Sequence, residues 1–242
     1  MRLLIVRHGD PDYKIDSLTP TGWKEAELLA QRLSKLDIKA FYVSPLGRAR
    51  DTASVTLKRM SRQAEVCSWL QEFGVRMQKP GEDHLTCLWD WLPELWTADD
   101  RYFDRELWHT SEIFQQYAVS ENLKWVTDNL DILLARHGYI RDGRYYRAES
   151  PNTDTIVLFC HFGVECVLLG HLLNISPMLL WHGACAVPTS VTTVITEERR
   201  EGIAYFRMNA FGDISHLYAA NQSPSFSARF CEVYSNFDER HD

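Results

Sequence analysis

The tripeptide Arg-His-Gly occurs twice in this 242-residue chain, and both copies carry side chains suited to phosphate chemistry. The first copy, residues 7–9, directly follows the apolar run 3–6, and the second copy is residues 136–138. A neutral imidazole can attack phosphorus near neutral pH, and a guanidinium can donate paired hydrogen bonds to phosphate oxygens. Which copy is placed for such chemistry depends on the elements that surround it.

The second copy is explained by the helix that it ends. Apolar residues recur at helical spacing from Leu123 to Leu134, which predicts a helix with one buried face. Arg136 and His137 then lie in its last turn, where basic side chains complement the helix dipole. Gly138 follows as a residue that tolerates a left-handed cap. We therefore interpret the second copy as a helix end without a catalytic role.

The first copy instead follows a predicted buried strand, and two other predicted strands lead to similar side chains. The strand at 39–44 leads to Arg48 in the first turn of a helix, and the strand at 154–160 leads directly to His161. In open α/β sheets, ligands bind outside the carboxyl ends of the strands, and a helix N-terminus also favours anions. We therefore expect Arg48 and His161 to lie beside the first copy and to form an anion site with it.

The order of the predicted elements indicates an α/β fold. Strands alternate with helices, which predicts three layers: an open, mostly parallel sheet flanked by helices. Helices are predicted to begin at Thr19-Pro20, at Ser44-Pro45 and at Gly163. The predicted strands are at residues 2–6, 39–44, 64–70, 154–160, 190–196 and 203–209.

Residues 75–150 differ in composition from the rest of the chain. They are rich in tryptophan and acidic residues, and helical patterns dominate, with one strand near 145–150. We expect a single domain over residues 1–242, in which 75–150 form a helical insertion or cap. Core packing is our first interpretation of its tryptophans, ahead of a lid over a ring-bearing or apolar leaving group and of a homodimer surface. The tryptophans concerned are Trp89, Trp91, Trp96 and Trp108.

Charge and composition argue against several classes of function. The net charge of −7 opposes non-specific binding to nucleic acid or to an anionic membrane. No apolar run approaches the roughly 18–20 residues of a membrane span, and the N-terminal apolar run is too short for a signal peptide, so we expect a cytoplasmic protein. The six cysteines are scattered without a Cys-x-x-Cys pair, and no His-Glu-x-x-His motif occurs. We predict reduced, mostly buried thiols, no metal and no cofactor.

Three motifs, taken together and in this order, resemble those of the histidine phosphatase superfamily, the phosphoglycerate mutase-like proteins. They read LLIVRHG at 3–9, SPLGRARDTA at 44–53 and LFCHFG at 158–163. The resemblance covers roughly residues 1–72 and 154–217. It implies the α/β fold of that superfamily and phosphoryl transfer through a phosphohistidine.

The resemblance also implies a role for each of four residues. His8 would be phosphorylated, and Arg7, Arg48 and His161 would bind the phosphoryl group, so that His161 also takes part in catalysis. Elementary chemistry agrees, because attack on a phosphate monoester requires the charge of the equatorial oxygens to be neutralised. Water would then hydrolyse the phosphohistidine.

A proton donor for the leaving alkoxide must come from elsewhere in the chain. A carboxylic acid with a raised pKa is the usual donor. Glu72 is our first candidate, because it lies at the end of the third predicted strand, where the superfamily commonly has a glutamate. Glu82 and Asp83 are the alternatives, and a solvated loop carboxylate is the competing interpretation of Glu72.

Several positions depart from the superfamily pattern or lie outside it. Phe162 stands where members often have glycine, and it could wall the pocket or pack beneath it. Lys14 stands in place of an asparagine and could favour a more anionic substrate or point to solvent. The mutase-type stretch ERHYG is absent after Glu72, which favours a phosphatase over a glycolytic mutase. Two further histidines are interpreted as structural, His171 as core and His216 as packed against the backbone, with a hydrogen bond near the site as the alternative for His216.

The sequence thus predicts a metal-independent phosphatase that hydrolyses small phosphate monoesters. Its expected partner is a small phosphorylated metabolite, and nucleic acid and membranes are not expected partners. Two alternatives remain open at this point. One is a phosphoglycerate-type phosphomutase, and the other is a non-catalytic protein that binds a phosphorylated ligand.

Overall fold

The computed structural model describes residues 1–227 and 229–239 and arranges them around one central sheet. The strands are β1 (Arg2–Arg7), β2 (Pro11–Asp12), β3 (Ser17–Leu18), β4 (Ala40–Val43), β5 (Glu65–Val66), β6 (Met77–Gln78), β7 (Leu85–Thr86), β8 (Tyr139–Asp142), β9 (Tyr145–Ala148), β10 (Thr155–Cys160), β11 (Val191–Arg200) and β12 (Ile203–Asp213). The α-helices are α1 (Pro20–Leu33), α2 (Gly47–Met60), α3 (Pro93–Trp96), α4 (Glu112–Gln115), α5 (Val119–Arg136), α6 (Phe162–Leu173), α7 (Pro177–Gly183) and α8 (Ser215–Ala219). Short 3-10 helices are at Ser68–Leu70, Asp100–Phe103 and Trp108–Thr110.

The central sheet has eight strands in the order β5-β4-β10-β1-β11-β12-β9-β8. The four strands from β5 to β1 pair in parallel, and the other four extend the sheet by antiparallel pairing. Only β11 and β9 run against the common direction, so the sheet is mixed but mostly parallel. The predicted α/β class and its mostly parallel sheet are therefore confirmed.

Both faces of the sheet are buried beneath helices, as the apolar strands require. All six residues of β10 and five of the six in β1 are buried, which is typical of parallel strands between two helical layers. Leu3 and Ile5 belong to the core that also contains residues of α5 and α6. Leu4 and Val6 belong to the opposite core with residues of α1 and α2. The alternation of side chains along β1 thus separates two cores and gives the predicted three layers.

Two predicted helix starts have different outcomes. Thr19 caps α1 as predicted, with its side chain accepting a backbone N–H of the first turn. The prediction that a helix begins at Ser44-Pro45 is wrong, because α2 begins only at Gly47. The Ser44 hydroxyl lies 2.7 Å from the His161 ring, so this serine belongs to the site rather than to the first turn of α2.

The strand predicted at residues 64–70 is much shorter than expected. β5 contains two residues, and a 3-10 helix follows at Ser68–Leu70. Trp69 and Leu70 are consecutive and both buried, at 6% and 0% exposure. A strand would send such neighbours to opposite faces, whereas a turn can bury both on one side. This turn brings Glu72 to the edge of the sheet.

Residues 75–150 are less helical than their composition suggests. Residues 77–117 form the hairpin β6–β7 and a series of one-turn helices. The later part contains one long helix, α5, and the hairpin β8–β9, whose strand β9 pairs with β12 and so joins the central sheet. β9 matches the strand expected near 145–150, and β8 was not predicted. That residues 75–150 act as a cap over a substrate stays a prediction.

The second Arg-His-Gly copy ends a helix, so its structural interpretation is confirmed. α5 ends at Arg136, His137 is its cap, and Gly138 has a φ of 90°. A Cβ at Gly138 would lie 2.4 Å from the carbonyl oxygen of Ser150. His137 is used structurally, because its Nε2 lies 2.8 Å from the Tyr42 hydroxyl.

The described residues contain neither a disulfide nor a metal cluster. Three of the six cysteines are buried: Cys67, Cys160 and Cys166. The expectation of mostly buried thiols therefore holds for only half of them. Within residues 1–227 and 229–239, no group of three or more His, Cys, Asp or Glu residues could hold a metal ion. In the same ranges, no helix has the length and apolar character needed to cross a membrane.

We expect the α5 layer to contribute strongly to stability through its buried face. Leu130 is fully buried, whereas Ile132 on the same helix is 61% exposed. Leu130→Ala should lower the free energy of unfolding by about 2–5 kcal/mol, because it leaves a cavity in the core. Ile132→Ala, the matched control, should change it by less than about 0.5 kcal/mol. Urea denaturation measures both, and equal losses would contradict the packing of α5.

Candidate active site

Two histidines meet where β1 and β10 end. The strands pair in parallel with Arg7 opposite Cys160, so the next residues, His8 and His161, leave the sheet side by side. Their ring centroids are 5.0 Å apart and both side chains are buried. Ser44, which directly follows β4 on the other side of β10, places its hydroxyl 2.7 Å from His161 Nε2. The ends of three neighbouring strands therefore form this site.

Hydrogen bonding selects one nitrogen of His8 as the reactive atom. Nδ1 lies 2.8 Å from the carbonyl oxygen of Gly9. A carbonyl oxygen can only accept, so Nδ1 carries the proton of the neutral ring and Nε2 carries the lone pair. The Gly9 N–H donates to Thr52 Oγ1 at 2.9 Å, which holds this loop against α2. The Arg48 Nε lies 3.4 Å from His8 Nε2 and so borders the reactive atom.

An aspartate that was not predicted positions Arg48. Asp16 accepts from Arg48 Nη1 at 2.6 Å with one carboxylate oxygen and from the Gly47 N–H at 2.7 Å with the other. Burial opposes the charged form, yet these hydrogen bonds lower the pKa of Asp16 below its usual value. A Cβ at Gly47 would lie 2.0 Å from the Asp16 carbonyl oxygen, so only glycine fits there. A lone loop aspartate carries no sequence signal for this role.

Two buried nitrogen atoms beside His8 have no hydrogen-bond partner among the described residues. They are Nε of Arg7 and Nδ1 of His161. Arg7 is otherwise held by the Ala186 carbonyl, which accepts from Nη1, and by the ring of Phe162 at 5.7 Å. A buried polar group left unpaired costs about 1–3 kcal/mol. Arg7 Nε is a donor suited to the oxygens of a bound oxyanion, and His161 Nδ1 is one too in the tautomer whose Nε2 accepts from the Ser44 hydroxyl.

Burial keeps both histidines neutral. It lowers the pKa of His8 well below the usual value, and the nearby guanidiniums of Arg7 and Arg48 lower it further. The pKa of His161 is lowered in the same way, first by burial and then by the neighbouring His8. A neutral His8 needs no deprotonation before it attacks an electrophile.

Glu72 lies at the N-terminus of α6, the helix that begins directly after His161. Its Oε1 accepts from the N–H groups of Phe73 at 2.9 Å and Val164 at 3.1 Å. Burial raises the pKa of Glu72, although these N–H groups act in the opposite direction. A Cβ on Gly163 would lie 2.7 Å from Oε1, so the glycine of the His-x-Gly motif makes room for this carboxyl. Glu72 is therefore not a solvated loop carboxylate.

The other sequence candidates lie away from this carboxyl. Glu82 is 3.7 Å from the buried Lys79 ammonium, and the side chain of Asp83 is fully exposed. Lys14 is exposed as well, in accordance with the interpretation that it points to solvent. Of the three acidic candidates, Glu72 is the one that shares a cavity with Arg7.

A cleft of about 330 Å³ opens over the site. Arg7 and Glu72 line its inner end, and Trp89 and Phe162 form an aromatic wall, with ring centroids 6.4 Å apart. Phe162 therefore walls the pocket. Asp90, which sequence reasoning missed, also lines the cleft. The volume lies within the range of small-molecule sites.

The remaining tryptophans divide between core and cleft. Trp91 and Trp108 are 6% and 1% exposed and belong to the core, as expected. Trp96 instead stacks on His182, with ring centroids 4.9 Å apart, and lines a second cavity. Core packing is thus correct for Trp91 and Trp108, and the partly buried Trp89 and Trp96 pack against the same core while they also line cavities.

Two histidine interpretations need correction. His171 is not core: its side chain is 16% exposed, and its Nε2 lies 2.9 Å from Asp131 on α5. It lies in the last turn of α6, where the helix approaches polar residues of α5. His216 is packed as expected, but side chains, not the backbone, are its partners: Thr189 at 3.2 Å and Arg32 at 3.5 Å. Burial lowers the pKa of His216 to about 4.

A second buried carboxyl, also missed from the sequence, lies beneath the site. Glu165 is 1% exposed in the first turn of α6. Burial raises its pKa to about 7, and the nearby Thr192 hydroxyl and the charge of Arg7 partly offset this effect. The sequence does not indicate its position, because a single acidic residue in an apolar helix forms no recognisable pattern.

Comparison with known proteins points to one family. The model of the histidine phosphatase superfamily, branch 1, matches residues 3–209. An 82-residue stretch is 32% identical to the 2,3-bisphosphoglycerate-dependent phosphoglycerate mutase of Thermoplasma acidophilum and covers 30% of this chain and 41% of that protein. A 62-residue stretch is 39% identical to the serine/threonine-protein phosphatase Pgam5, mitochondrial, of Caenorhabditis elegans, covering 24% and 22%. The matches span less than half the length of these relatives.

Solved structures share the fold at low sequence identity. Phosphoserine phosphatase of Entamoeba histolytica aligns with a TM-score of 0.58 and 19% identity, over 89% of this chain and 98% of that chain. Mycobacterial glucosyl-3-phosphoglycerate phosphatase aligns with a TM-score of 0.54 and 22% identity, over 87% and 98%. At such identities the likeness demonstrates a common fold alone.

Because Glu165 has a raised pKa, the stability difference between wild type and Glu165→Gln should depend on pH. With a pKa of about 7 in the folded protein and an ordinary value of 4.5, the folded chain holds a proton that the unfolded chain releases between these pH values. Wild-type stability should therefore fall as pH rises through this window, by about 2–3 kcal/mol between pH 5 and pH 8 relative to Glu165→Gln. Urea denaturation at both pH values measures the difference.

The same substitution at the exposed Glu121 is the control and should give a difference that changes little with pH. A Glu165→Gln difference that is constant with pH would show that the buried carboxyl ionises normally.

Proposed function

This chain belongs to the histidine phosphatase superfamily, and we propose that it is a phosphatase that hydrolyses a small phosphate monoester through a phosphohistidine on His8. The observation that carries the proposal is the neutral His8, whose Nδ1 proton is held by the Gly9 carbonyl, so that Nε2 carries the lone pair and accepts a long hydrogen bond of 3.4 Å from Arg48 Nε. The surroundings support it, because the Arg48 guanidinium borders His8, and Arg7 lines the same cleft as Glu72, a carboxyl of raised pKa.

The first half of the reaction forms the phosphoenzyme. The His8 Nε2 lone pair attacks phosphorus while the bond from phosphorus to the alcohol oxygen breaks. Arg7, Arg48 and His161 stabilise the charge on the equatorial oxygens, for which the unpaired Arg7 Nε and His161 Nδ1 are suited. Glu72 gives its proton to the departing oxygen, so that a neutral alcohol leaves.

The second half returns the protein to its starting state. Glu72, now a carboxylate, accepts a proton from water while the water oxygen attacks phosphorus. The bond between phosphorus and Nε2 breaks, and its electron pair returns to His8 as inorganic phosphate forms. Burial favours the protonated form of Glu72 and so restores the acid for the next cycle.

The comparisons are compatible with a phosphatase and name no substrate for this chain. Two proteins of the same fold are described as phosphatases of small phosphorylated metabolites, phosphoserine and glucosyl-3-phosphoglycerate. The cleft volume of about 330 Å³ also suits a small monoester. A partial match to a phosphoglycerate mutase keeps phosphomutase activity as the outcome to test against.

The experiment that tests the proposal measures phosphate release from a panel of phosphate monoesters in EDTA. We compare wild type with His8→Ala, and with His137→Ala as the matched control from the second Arg-His-Gly copy. His8→Ala should lose at least about 10³-fold in kcat/KM because it removes the nucleophile. His137→Ala should stay within about threefold, because His137 serves only the end of α5.

Other outcomes separate the alternatives. Equal release by wild type and His8→Ala would remove His8 from the mechanism. Isomerisation of a phosphoglycerate without net phosphate release would identify a phosphomutase. Binding of a phosphorylated ligand without turnover and without an acid-labile phosphoprotein would identify a binding protein.

The role of Glu72 has its own test, because an acid is needed only for a poor leaving group. Glu72→Gln should lower kcat/KM for an alkyl phosphate by about 10²–10⁴-fold and that for 4-nitrophenyl phosphate by less than about tenfold. Wild-type kcat/KM for the alkyl phosphate should fall as pH rises through the raised pKa of Glu72, since the protonated form is the donor. Glu82→Gln is the control, and equal losses for both esters would assign Glu72 a role other than acid.

A further inference from the structure

The C-terminal segment crosses the mouth of the cleft. Three of its residues, Ser227, Arg229 and Phe230, line the cavity that also contains Arg7 and Glu72. These residues follow the last described helix, α8, and lie outside the strands that build the reaction centre. The segment therefore supplies side chains to the part of the cleft in which the alcohol of a phosphate monoester would lie.

Hydrogen bonds hold this segment to the loop that carries His8. The Ser225 N–H donates to Glu25 Oε1 at 3.1 Å, and the other oxygen of the same carboxyl accepts the Asp10 N–H at 2.9 Å. Ser227 Oγ also donates to the carboxylate of Asp10. Glu25 is fully buried in α1. The position of the segment is thus tied to the same loop as the reactive histidine.

Arg229 is positioned by its own segment, without an acidic partner among the described residues. Its guanidinium lies 4.7 Å from the ring centroid of Phe226, and Nη2 donates to the Ser225 carbonyl at 3.3 Å. Its Nε is buried and has no hydrogen-bond partner within the part of the chain that the structure describes. The Phe226 ring and the Ser225 carbonyl orient the guanidinium, but they do not neutralise its charge. Some of its N–H groups also remain available to a ligand.

Arg229 also lies where two cavities adjoin. A second cavity of about 370 Å³ shares Arg7, Phe162 and Arg229 with the first and continues towards Trp96 and His182. A substrate whose phosphoryl group is held at Arg7 would therefore extend past Arg229. A group on the alcohol that carries negative charge would find a positive partner there.

Two carboxylates line the same cavities, and neither neutralises Arg229. The charge of Asp90 is opposed by Lys79 and Arg7, whose positive charges favour its ionised form, and Lys79 Nζ donates to the Asp90 carbonyl at 3.1 Å. Glu232 is exposed to solvent, which screens its charge. The positive charge of Arg229 is therefore available to attract an anion.

We propose that Arg229 is a specificity-determining residue that binds a second oxyanion, a carboxylate or another phosphate, on the alcohol part of the substrate. This inference rests on the proposed function, in which Arg7, Arg48 and His161 hold the transferred phosphoryl group. It narrows the substrate class from any small phosphate monoester to those with a second negative group.

The test compares substrates that share a three-carbon skeleton. 3-Phosphoglycerate carries a carboxylate where glycerol 3-phosphate carries a neutral hydroxymethyl group, and glycerol 1,3-bisphosphate carries a second phosphate. Wild type should prefer an anionic member. Arg229→Gln should lower kcat/KM for that member by about 10- to 100-fold, the loss expected for a hydrogen bond between charged groups. It should change the value for glycerol 3-phosphate by less than about threefold, and Arg229→Lys should restore part of the preference.

Arg59→Gln is the control, because Arg59 is an exposed arginine paired with Glu27 near the far end of α2. The preferred anion distinguishes a carboxylate site from a phosphate site. Equal losses for all three substrates in Arg229→Gln, or no loss for any, would overturn the inference.

Binding provides a readout that does not depend on turnover. Calorimetry on a His8→Ala background should show tighter binding of the anionic compound than of glycerol 3-phosphate, and Arg229→Gln should abolish the difference. This result would stand even if wild type released no phosphate, in which case the proposed function would fail and the inference would survive. No preference for an anion in either measurement would overturn the inference alone.

Discussion

Because β1 and β10 pair in parallel with Arg7 opposite Cys160, the chain leaves the sheet twice at the same point and in the same direction. The apolar alternation of β1 determines this register, since Leu3 and Ile5 face one core and Leu4 and Val6 face the other. A slip by one residue would move every side chain of the strand to the opposite face. The burial that stabilises the fold is therefore the same interaction that places His8 against His161, and the site cannot be displaced without disrupting both cores.

Burial at this point has opposite effects on bases and acids. It lowers the pKa of both histidines and raises that of Glu72, so a neutral nucleophile and a protonated acid can exist together at neutral pH. Arg7 and Arg48 differ in whether an acidic side chain neutralises their charge. Asp16 forms an ion pair with Arg48, whereas Arg7 contacts a carbonyl oxygen and an aromatic ring. One positive charge is thus compensated within the fold, and the other is available to a phosphoryl group.

The sequence predicted those features that depend on contiguous residues. The strands that end before His8 and His161, the start of α1 and the end of α5 follow from local hydrophobic periodicity and capping, and they were predicted correctly. The short β5 and the late start of α2 were not predicted, because they depend on tertiary contacts. Trp69 and Leu70 are both buried in the core, and the Ser44 hydroxyl hydrogen-bonds to His161. Asp16, Asp90 and Glu165 were missed for a related reason, since an isolated carboxyl reveals its role only through distant neighbours. Glu72 could be named from the resemblance, but its burial at the N-terminus of α6 could not.

The reaction centre and the cleft above it have different structural origins. The centre is built from the ends of strands that two cores hold in register, whereas the cleft is lined by Trp89, Asp90 and the C-terminal residues around Arg229. Irregular segments tolerate substitution better than buried strands do, because fewer packed neighbours depend on them. The physical consequence is that phosphoryl transfer and the choice of alcohol are separable in this fold. The bond between Glu25 and the C-terminal segment limits that separation, because the same carboxyl also holds the loop next to His8. A change in the segment that selects the alcohol can therefore reach the nucleophile through a single buried side chain.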